Sequence, residues 1–148
     1  MTDVTGELAD GTVPNLAGPR TLAEFIVPRI TEAARKAGRG APRIVVAVAA
    51  VVTDDVESVR ARLSEQSAFY ASVPSYRAVL EREGVTDPAA LAVIGDESTL
   101  AEALARYHEA GATEIVLTQT AIGGEEDRQR TWAAAGALAR QLACTSTT

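Results

Sequence analysis

The sequence predicts an α/β fold in which parallel strands alternate with helices. Three short apolar runs each lead into a helical pattern, and this alternation is typical of βα units. The middle run, residues 43–53, is apolar almost throughout instead of alternating, which predicts a strand covered on both faces. A chain of 148 residues that is 47% hydrophobic can form one domain with a core of its own.

The three predicted strands differ in the strength of their signal. The first lies in "DGTVPNL" and offers only Thr12 and Val13 before Pro14, which cannot donate to a ladder and is tolerated at a strand end. The second is "RIVVAVAAVVT". The third, "EIVLTQTAI", starts apolar and turns polar at Thr118, so that its carboxyl end is expected to meet solvent or a ligand.

The helical segments carry start and stop signals. In residues 19–39, Pro28 removes a backbone donor and must kink or restart the helix. Gly84 is placed as a left-handed cap, and the pair Asp87–Pro88 is typical of a helix start. The predicted inner faces of the first and last long helices consist of Leu22, Phe25, Ile26, Ile30 and Ala33, and of Trp132, Ala135, Leu138 and Leu142.

Composition excludes several classes of partner. The net charge is −6, from 20 acidic and 14 basic residues without a basic cluster, which argues against nucleic acid and anionic membranes. The longest apolar run, residues 44–52, is too short to span a bilayer, and the first residues lack the pattern of a secretion signal. A single cysteine, Cys144, favours a reducing, cytoplasmic setting. We expect one domain over residues 1–143 and a disordered polar tail over 144–148.

The loop "AIGGEEDRQRT" allows two interpretations. Gly123 and Gly124 would let backbone amides approach a phosphate near a helix N-terminus. Against this, Glu125, Glu126 and Asp127 occupy the first helical turn, where they satisfy the helix dipole and repel an anion. The acidic turn favours a simple strand-to-helix connection.

Polar residues at the predicted strand ends are the other candidate ligand contacts. Thr118, Gln119 and Thr120 follow the last strand and could hydrogen-bond a flavin-like ring or its ribityl chain, although alternation lets only some of them face the ligand. Asn15 and Thr53 hold the same position on the other strands. The alternative for all five is that polar residues simply mark where a strand leaves the core.

No catalytic residue or metal site is indicated by the sequence. His108 is the only histidine and lies near a helix C-terminus, where an exposed imidazole is favourable without any catalytic role. Asp10 precedes Gly11 and is expected to stabilise a turn. One histidine and one cysteine provide neither a nucleophile–base pair nor a metal-binding set.

Four stretches, in this order, resemble the C-terminal portion of the luciferase-like monooxygenase family, in particular its deazaflavin-dependent oxidoreductases. They are "GELADGT", "GPRTLAEFIVPRITEAARKAGR" with "PRIVVAVAAVVTDDVESVRAR", "SVPSYRAVLEREGV", and "VIGDESTLAEALARYHEAGATEIVL". Each is weak alone, but their order and spacing cover nearly the whole chain. The resemblance implies a partial (β/α)8 TIM barrel of about the last three βα units, since a full barrel takes about 250 residues.

The resemblance also implies a function. The chain would belong to an N-terminally truncated oxidoreductase or monooxygenase that uses coenzyme F420 or FMN for hydride transfer or oxygen activation on an organic substrate. The cofactor contacts expected from strand-end position are Thr118, Gln119, Thr120, Gly123 and Gly124. The alternative is a non-catalytic half-barrel that associates with itself or pairs with another chain. Under both hypotheses we expect a homodimer or a complex with a second chain, because three parallel strands leave two open edges.

Overall fold

The structure is a computed structural model that describes residues 2–145, with the side chains of residues 2–141. Its strands are β1 (Gly11–Thr12), β2 (Arg43–Val52), β3 (Val93–Gly95) and β4 (Glu114–Thr118). Its α-helices are α1 (Thr2–Leu8), α2 (Pro19–Thr21), α3 (Val27–Lys36), α4 (Val56–Ser72), α5 (Pro74–Glu83), α6 (Glu97–Glu109) and α7 (Glu125–Thr145). A π-helical turn, Leu22–Ile26, joins α2 to α3, and a 3-10 helix, Pro88–Leu91, precedes β3.

The long strand β2 is the centre of a four-stranded sheet, and all pairings are parallel. Its start pairs with β1, its middle with β4 from Val45↔Glu114 to Ala49↔Thr118, and its end with β3. The prediction of parallel strands is therefore confirmed. The sequence interpretation missed β3, because a strand of three residues is too short to show a periodicity.

One face of β2 is fully covered by helices. Alternate residues of the strand pack into a core with side chains from the helical run 19–36 and from α6. Burying each aliphatic side chain of this kind stabilises the fold by about 1.5–3 kcal/mol. The strand residues concerned are Ile44, Val46, Val48, Ala50 and Val52, and their largest helical partners are Leu22, Ile30, Leu100 and Tyr107.

The opposite face of β2 is only half covered. Val45, Ala47 and Ala49 are each partly exposed, and their partners on β4 include Val116, which is 49% exposed. We call this surface the open face; it consists of Val45, Ala47 and Ala49 with Glu114, Val116 and Thr118. The prediction that β2 is buried on both faces is wrong over this stretch, because the described helices cover only the other side. In a (β/α)8 barrel the helices lie outside, so the open face corresponds to the barrel interior.

The carboxyl end of the open face is closed by a second, smaller core. Val51 and Ile94 of the sheet pack there against Val59 and Leu63 of α4. Ala49 and Ile122 contact this cluster from its edge. The helix α4 and the loop after β4 therefore form a wall at the end of the sheet where parallel strands present their carboxyl termini.

Local residues determine where several helices begin and end. Pro28 stands in the first turn of α3, directly after the π-helical turn, so the helical run is irregular next to the proline but continues through it; of the predicted kink or restart, a restart is not observed. Gly84 caps α5 with φ 77° and ψ 25°, which is the left-handed conformation. The side chain of Asp55 caps α4 by accepting a hydrogen bond from the backbone N of Ser58 at 3.3 Å.

The last helix is rotated from the predicted inner face. Trp132 was expected in the core but is 56% exposed, whereas its neighbour Thr131 is fully buried. Ala134 and Leu138 contact the core, while the side chain of Leu142 lies outside the described residues. Of the expected tail, residues 144 and 145 end α7, and residues 146–148 lie outside the described part of the chain. None of the described helices combines the length and hydropathy needed to cross a bilayer.

Candidate functional site

The carboxyl ends of β2, β3 and β4 lie together at one edge of the sheet because the strands are parallel. The segments that follow them begin at Thr53, Asp96 and Gln119. In barrels and in open parallel sheets, this edge is where ligands bind. The sheet thus brings the predicted residues 118–120 close to the end of β2.

Arg130, on α7, connects the segments that follow β2, β3 and β4. Its guanidinium donates to both carboxylate oxygens of Glu97, at 2.6 and 2.9 Å, and to Oδ1 of Asp54 at 2.9 Å. The hydrogen bond from Arg130 holds the pKa of the Glu97 carboxyl below its usual range, and the two carboxylates raise the pKa of Arg130. A two-pronged pair of this kind fixes orientation as well as charge, so the loops after β2 and β3 are held against the start of α7.

The helix after β3 starts with a strong cap. Asp96 accepts hydrogen bonds from the backbone N of Thr99 at 2.8 Å and from the Ser98 hydroxyl at 2.7 Å. These bonds, led by the one from the Thr99 backbone, lower the pKa of the Asp96 carboxyl to about 2. The cap therefore stays charged down to strongly acidic pH and is lost only as the pH falls toward 2.

Thr118 projects from the open face at the carboxyl end of β4. It is paired in register with Ala49, so both side chains lie on the same face of the sheet. Thr118 is partly exposed, and no described residue forms a hydrogen bond with its hydroxyl. The neighbouring Ala47 and Ala49 are small, so this part of the face is a flat apolar floor with one polar group at its edge.

Gln119 has an unusual backbone conformation. Its φ is 57°, in the left-handed region that residues with a Cβ seldom adopt. Backbone strain of this kind typically costs about 1 kcal/mol or more and is common at binding sites. Its side chain is exposed and has no described hydrogen-bonding partner.

Thr120 is held by the protein itself. It is 9% exposed, and its hydroxyl accepts a hydrogen bond from Nε1 of Trp132 at 3.2 Å. The guanidinium of Arg128 lies over the same indole ring, 4.9 Å from its centroid. These contacts explain why Trp132 is at the surface, since its N–H and its ring face both have partners there. The hydrogen bond from Trp132 also indicates that Thr120 stabilises the conformation of the loop.

The two glycines of the loop are close to acidic groups. The carboxylate of Asp127 packs so tightly on Gly123 that a Cβ there would overlap it. Gly124 has φ 116°, and its N–H donates to the carbonyl oxygen of Ala121 at 3.0 Å. This geometry favours a strand-to-helix turn over a phosphate cradle, because the Gly124 amide is already engaged and a carboxylate adjoins Gly123.

The remaining candidates have structural partners or lie apart. Thr53 is buried, and its hydroxyl accepts from the backbone N of Asp55 at 3.1 Å. Asp10 pairs with Arg39 at 2.6 Å. His108 is exposed, with Nδ1 3.0 Å from the carbonyl oxygen of Ala112. Asn15 lines a separate cavity beside β1. Among the described residues, no three His, Cys, Asp or Glu side chains cluster as a metal site would require.

The structure adds features that the sequence interpretation did not identify. The floor formed by Ala47 and Ala49, and the wall formed by α4 with Ile122, were both missed. The alternation "VAVAA" in β2 is the signal that could have indicated a face of small side chains. The contact of Ile122 with α4 depends on tertiary packing and has no such signal.

A family model for luciferase-like monooxygenases matches residues 1–114. An uncharacterised protein of Mycobacterium tuberculosis is 36% identical over 93 residues, which are 59% of this chain and 27% of that protein. The 5,10-methylenetetrahydromethanopterin reductase of Methanolobus tindarius is 35% identical over 96 residues, which are 64% of this chain and 29% of the reductase.

Solved structures show the same fold. The coenzyme F420-dependent tetrahydromethanopterin reductase of Methanopyrus kandleri superposes with a TM-score of 0.69 at 21% identity, over 88% of this chain and 44% of the reductase. An F420-dependent secondary alcohol dehydrogenase, solved with an F420–acetone adduct, gives a TM-score of 0.64 at 18% identity, over 86% of this chain and 45% of that one. The chain thus spans less than half the length of these proteins and less than a third of the curated relatives.

The family match covers more than half of the chain, and the parallel sheet with helices on one face is part of the TIM-barrel fold of the structural neighbours. The chain belongs to the luciferase-like monooxygenase family.

Proposed function

We propose that this chain is the part of a deazaflavin-dependent oxidoreductase that holds the cofactor ring against the carboxyl end of the sheet. The observation that carries the proposal is the open face, where Thr118 projects beside the flat floor of Ala47 and Ala49. Support for the cofactor comes from the F420-dependent enzymes among the structural neighbours. Their names favour a deazaflavin over FMN, and a reductase over a monooxygenase.

The residues present fit the ring of such a cofactor better than its phosphate. A planar ring needs a flat apolar surface with a few polar groups at its rim, and the open face provides both. The first turn of α7 carries Glu125, Glu126 and Asp127, which repel a phosphate. We therefore assign ring contacts to Thr118 and Gln119. Thr120, Gly123 and Gly124 shape the loop, and the cofactor's phosphate is expected to lie elsewhere.

The deazaflavin, when bound, supplies hydride transfer to or from an organic substrate. The protein's share is to orient the ring and to exclude water from its face. The wall formed by α4 and Ile122 contributes to the exclusion of water, because it closes the carboxyl end of the open face with apolar side chains. The single cysteine favours a cytoplasmic location for this reaction.

Binding of coenzyme F420, followed by its fluorescence, tests the proposal. We expect a dissociation constant in the micromolar range and a loss of about 5-fold for Thr118→Val, because one hydrogen bond contributes about 1 kcal/mol. Gln119→Gly relieves the left-handed backbone and should raise the melting temperature while it weakens binding. Gln66→Ala, at an exposed position of α4, is the matched control and should change neither the affinity for F420 nor the melting temperature. Absence of binding at millimolar coenzyme, with the protein folded, would contradict the proposal.

A second candidate function is favoured by the exposure of the open face. Val116 is 49% exposed, and among the described strands the outer edge of β4 is unpaired. An apolar face next to an open strand edge is normally covered by protein. On this hypothesis the chain is a non-catalytic half-barrel whose open face packs against a second copy.

Val116→Lys tests self-association. Light scattering at increasing protein concentration should show twice the chain mass of 15.4 kDa for the unaltered protein and a monomer for the variant, because a lysine in the interface must be desolvated. Leu8→Lys, at a position of α1 that is 76% exposed and away from the open face, is the control and should remain a dimer. A folded monomer for the unaltered chain at all concentrations would exclude this candidate.

A further inference from the structure

A cavity of about 430 Å³ lies beside β1, at its carboxyl end and apart from the open face. Its wall combines the end of β1 and the following loop with α1, the π-helical turn and α5. The volume is within the range of small-molecule sites in proteins. Most of the wall is apolar, and its larger apolar members are Val13, Pro14, Phe25, Ile26, Tyr76 and Val79.

The charge of the residues that line this cavity is unlike that of the chain as a whole. The protein has 20 acidic residues against 14 basic ones, yet none of the described residues that line the cavity is acidic. Among the described lining residues, Arg82 is the one with a charged side chain, and it lies at the exposed rim. The nearby Glu83 is not in the lining, and it accepts a hydrogen bond from the backbone N of Thr21 at 2.5 Å. The cavity therefore favours an anion with an apolar body.

Arg82 is positioned to bind a carboxylate. Its guanidinium stacks on the ring of Phe25, 4.3 Å from the centroid, and Arg29 lies over the same ring at 4.8 Å. One of its N–H groups donates to the carbonyl oxygen of Ala78 at 3.2 Å, and it forms no ion pair with a described carboxylate. Stacking fixes the plane of a guanidinium and leaves its remaining N–H groups available for a two-pronged contact.

A buried hydroxyl in the wall of the cavity forms no hydrogen bond with the described protein. Thr21 is 2% exposed, lines the cavity, and its Oγ1 makes no hydrogen bond with the described protein. A buried hydroxyl without a partner costs about 1–3 kcal/mol, which a ligand oxygen in the cavity would offset. This group is independent of Arg82, since it belongs to a different helix and is buried instead of exposed.

From these observations we infer that the cavity binds a small organic acid that carries a ring. Its carboxylate contacts Arg82 at the rim, and a separate polar oxygen on the ring contacts the hydroxyl of Thr21. The ring lies between the apolar walls next to Phe25 and Tyr76. The existence of this binding site is inferred from the cavity alone. Its role as the substrate site of the oxidoreductase rests on the proposed function.

Calorimetric titration of the cofactor-free protein tests this inference with three probes: 4-hydroxybenzoate, benzoate and benzyl alcohol. The order of affinity should be 4-hydroxybenzoate, then benzoate, with benzyl alcohol weakest. Arg82→Gln should weaken both acids by about 10-fold or more, since a charge-assisted pair is lost. Thr21→Val should abolish the preference for 4-hydroxybenzoate over benzoate while leaving the affinity for benzoate nearly unchanged.

Two controls separate binding from folding. Arg77→Gln removes an exposed charge from α5 outside the lining and should leave all three affinities unchanged. Thr21→Val should not lower the melting temperature, because the hydroxyl that it removes has no protein partner. Equal affinity for benzoate and benzyl alcohol, or no binding of either acid, overturns the inference. Acid binding without F420 binding keeps the cavity site and removes its role as a substrate site; F420 binding without acid binding removes only the present inference.

Discussion

Gly6→Ala is expected to lower the free energy of unfolding by about 3 kcal/mol, although it adds only one methyl group. The helix α1 crosses α3 at this glycine. A Cβ built at Gly6 would lie 2.6 Å from the carbonyl oxygen of Ile30 and 2.7 Å from Cβ of Ala33. Both neighbours are in the middle of α3 and are buried or next to buried residues, so the backbone cannot yield locally and α1 must separate from α3.

Urea denaturation followed by circular dichroism measures this effect, and Gly40→Ala provides the comparison. A Cβ at Gly40 would meet nothing within 4 Å, and its φ is not in the left-handed region. The control should therefore be neutral or slightly stabilising, since alanine restricts the unfolded chain. If both variants unfold at the same urea concentration, the close contact between α1 and α3 is not part of the folded protein. Because α1 also lines the cavity beside β1, Gly6→Ala should weaken binding of 4-hydroxybenzoate as well.

The parts of the fold that the sequence predicts correctly depend on local physics. Pro28 interrupts the regular α-helical hydrogen bonding because it lacks a donor, and Gly84 ends a helix because it tolerates a positive φ. The strands β2 and β4 show as runs of apolar, mostly β-branched residues before helical patterns. In each case the residues that cause the structure lie within a few positions of it, so the local sequence is sufficient to predict the element.

The burial of β2 could not be predicted in the same way. Its open face carries Val45, Ala47 and Ala49, and its helix-covered face carries Ile44, Val46 and Val48; both are apolar. An apolar residue indicates that a surface is suited to contact with protein, but not which segment or chain provides the contact. The error about Trp132 has a related origin, because helical periodicity fixes a face only within about one residue. A shift of one position placed Thr131 inside and the indole outside.

The candidate site was predictable in position but not in detail. The polar residues Thr118 to Thr120 lie where β4 ends, at the carboxyl end of the sheet, as strand direction requires. Three features depend on contacts made after folding: the left-handed backbone of Gln119, the bond between Thr120 and Trp132, and the packing of Asp127 on Gly123. These three features distinguish the residues that are accessible to a ligand from the residues that stabilise the loop.

Thr131→Val should lower the free energy of unfolding by about 2 kcal/mol and also weaken F420 binding. Thr131 is fully buried; its hydroxyl accepts from the backbone N of Val52 at 2.8 Å and donates to the carbonyl oxygen of Asp127 at 2.7 Å. Valine keeps the shape but leaves the N–H of Val52 without a partner, and a buried unsatisfied donor costs about 1–3 kcal/mol. Chemical denaturation measures the loss.

The comparison variants for this position are Thr131→Ser and Thr31→Val. Serine keeps the hydroxyl and loses one methyl group, so the expected loss is about 1 kcal/mol or less. Thr31 is exposed on α3, so its replacement should have little effect. Because Thr131 fastens the start of α7 to the end of β2, it sets the position of the loop that begins at Gln119, directly after Thr118. Equal stability of Thr131→Val and Thr131→Ser would show that the link from Val52 to α7 does not hold this loop, and the assignment of ring contacts to it would lose its structural basis.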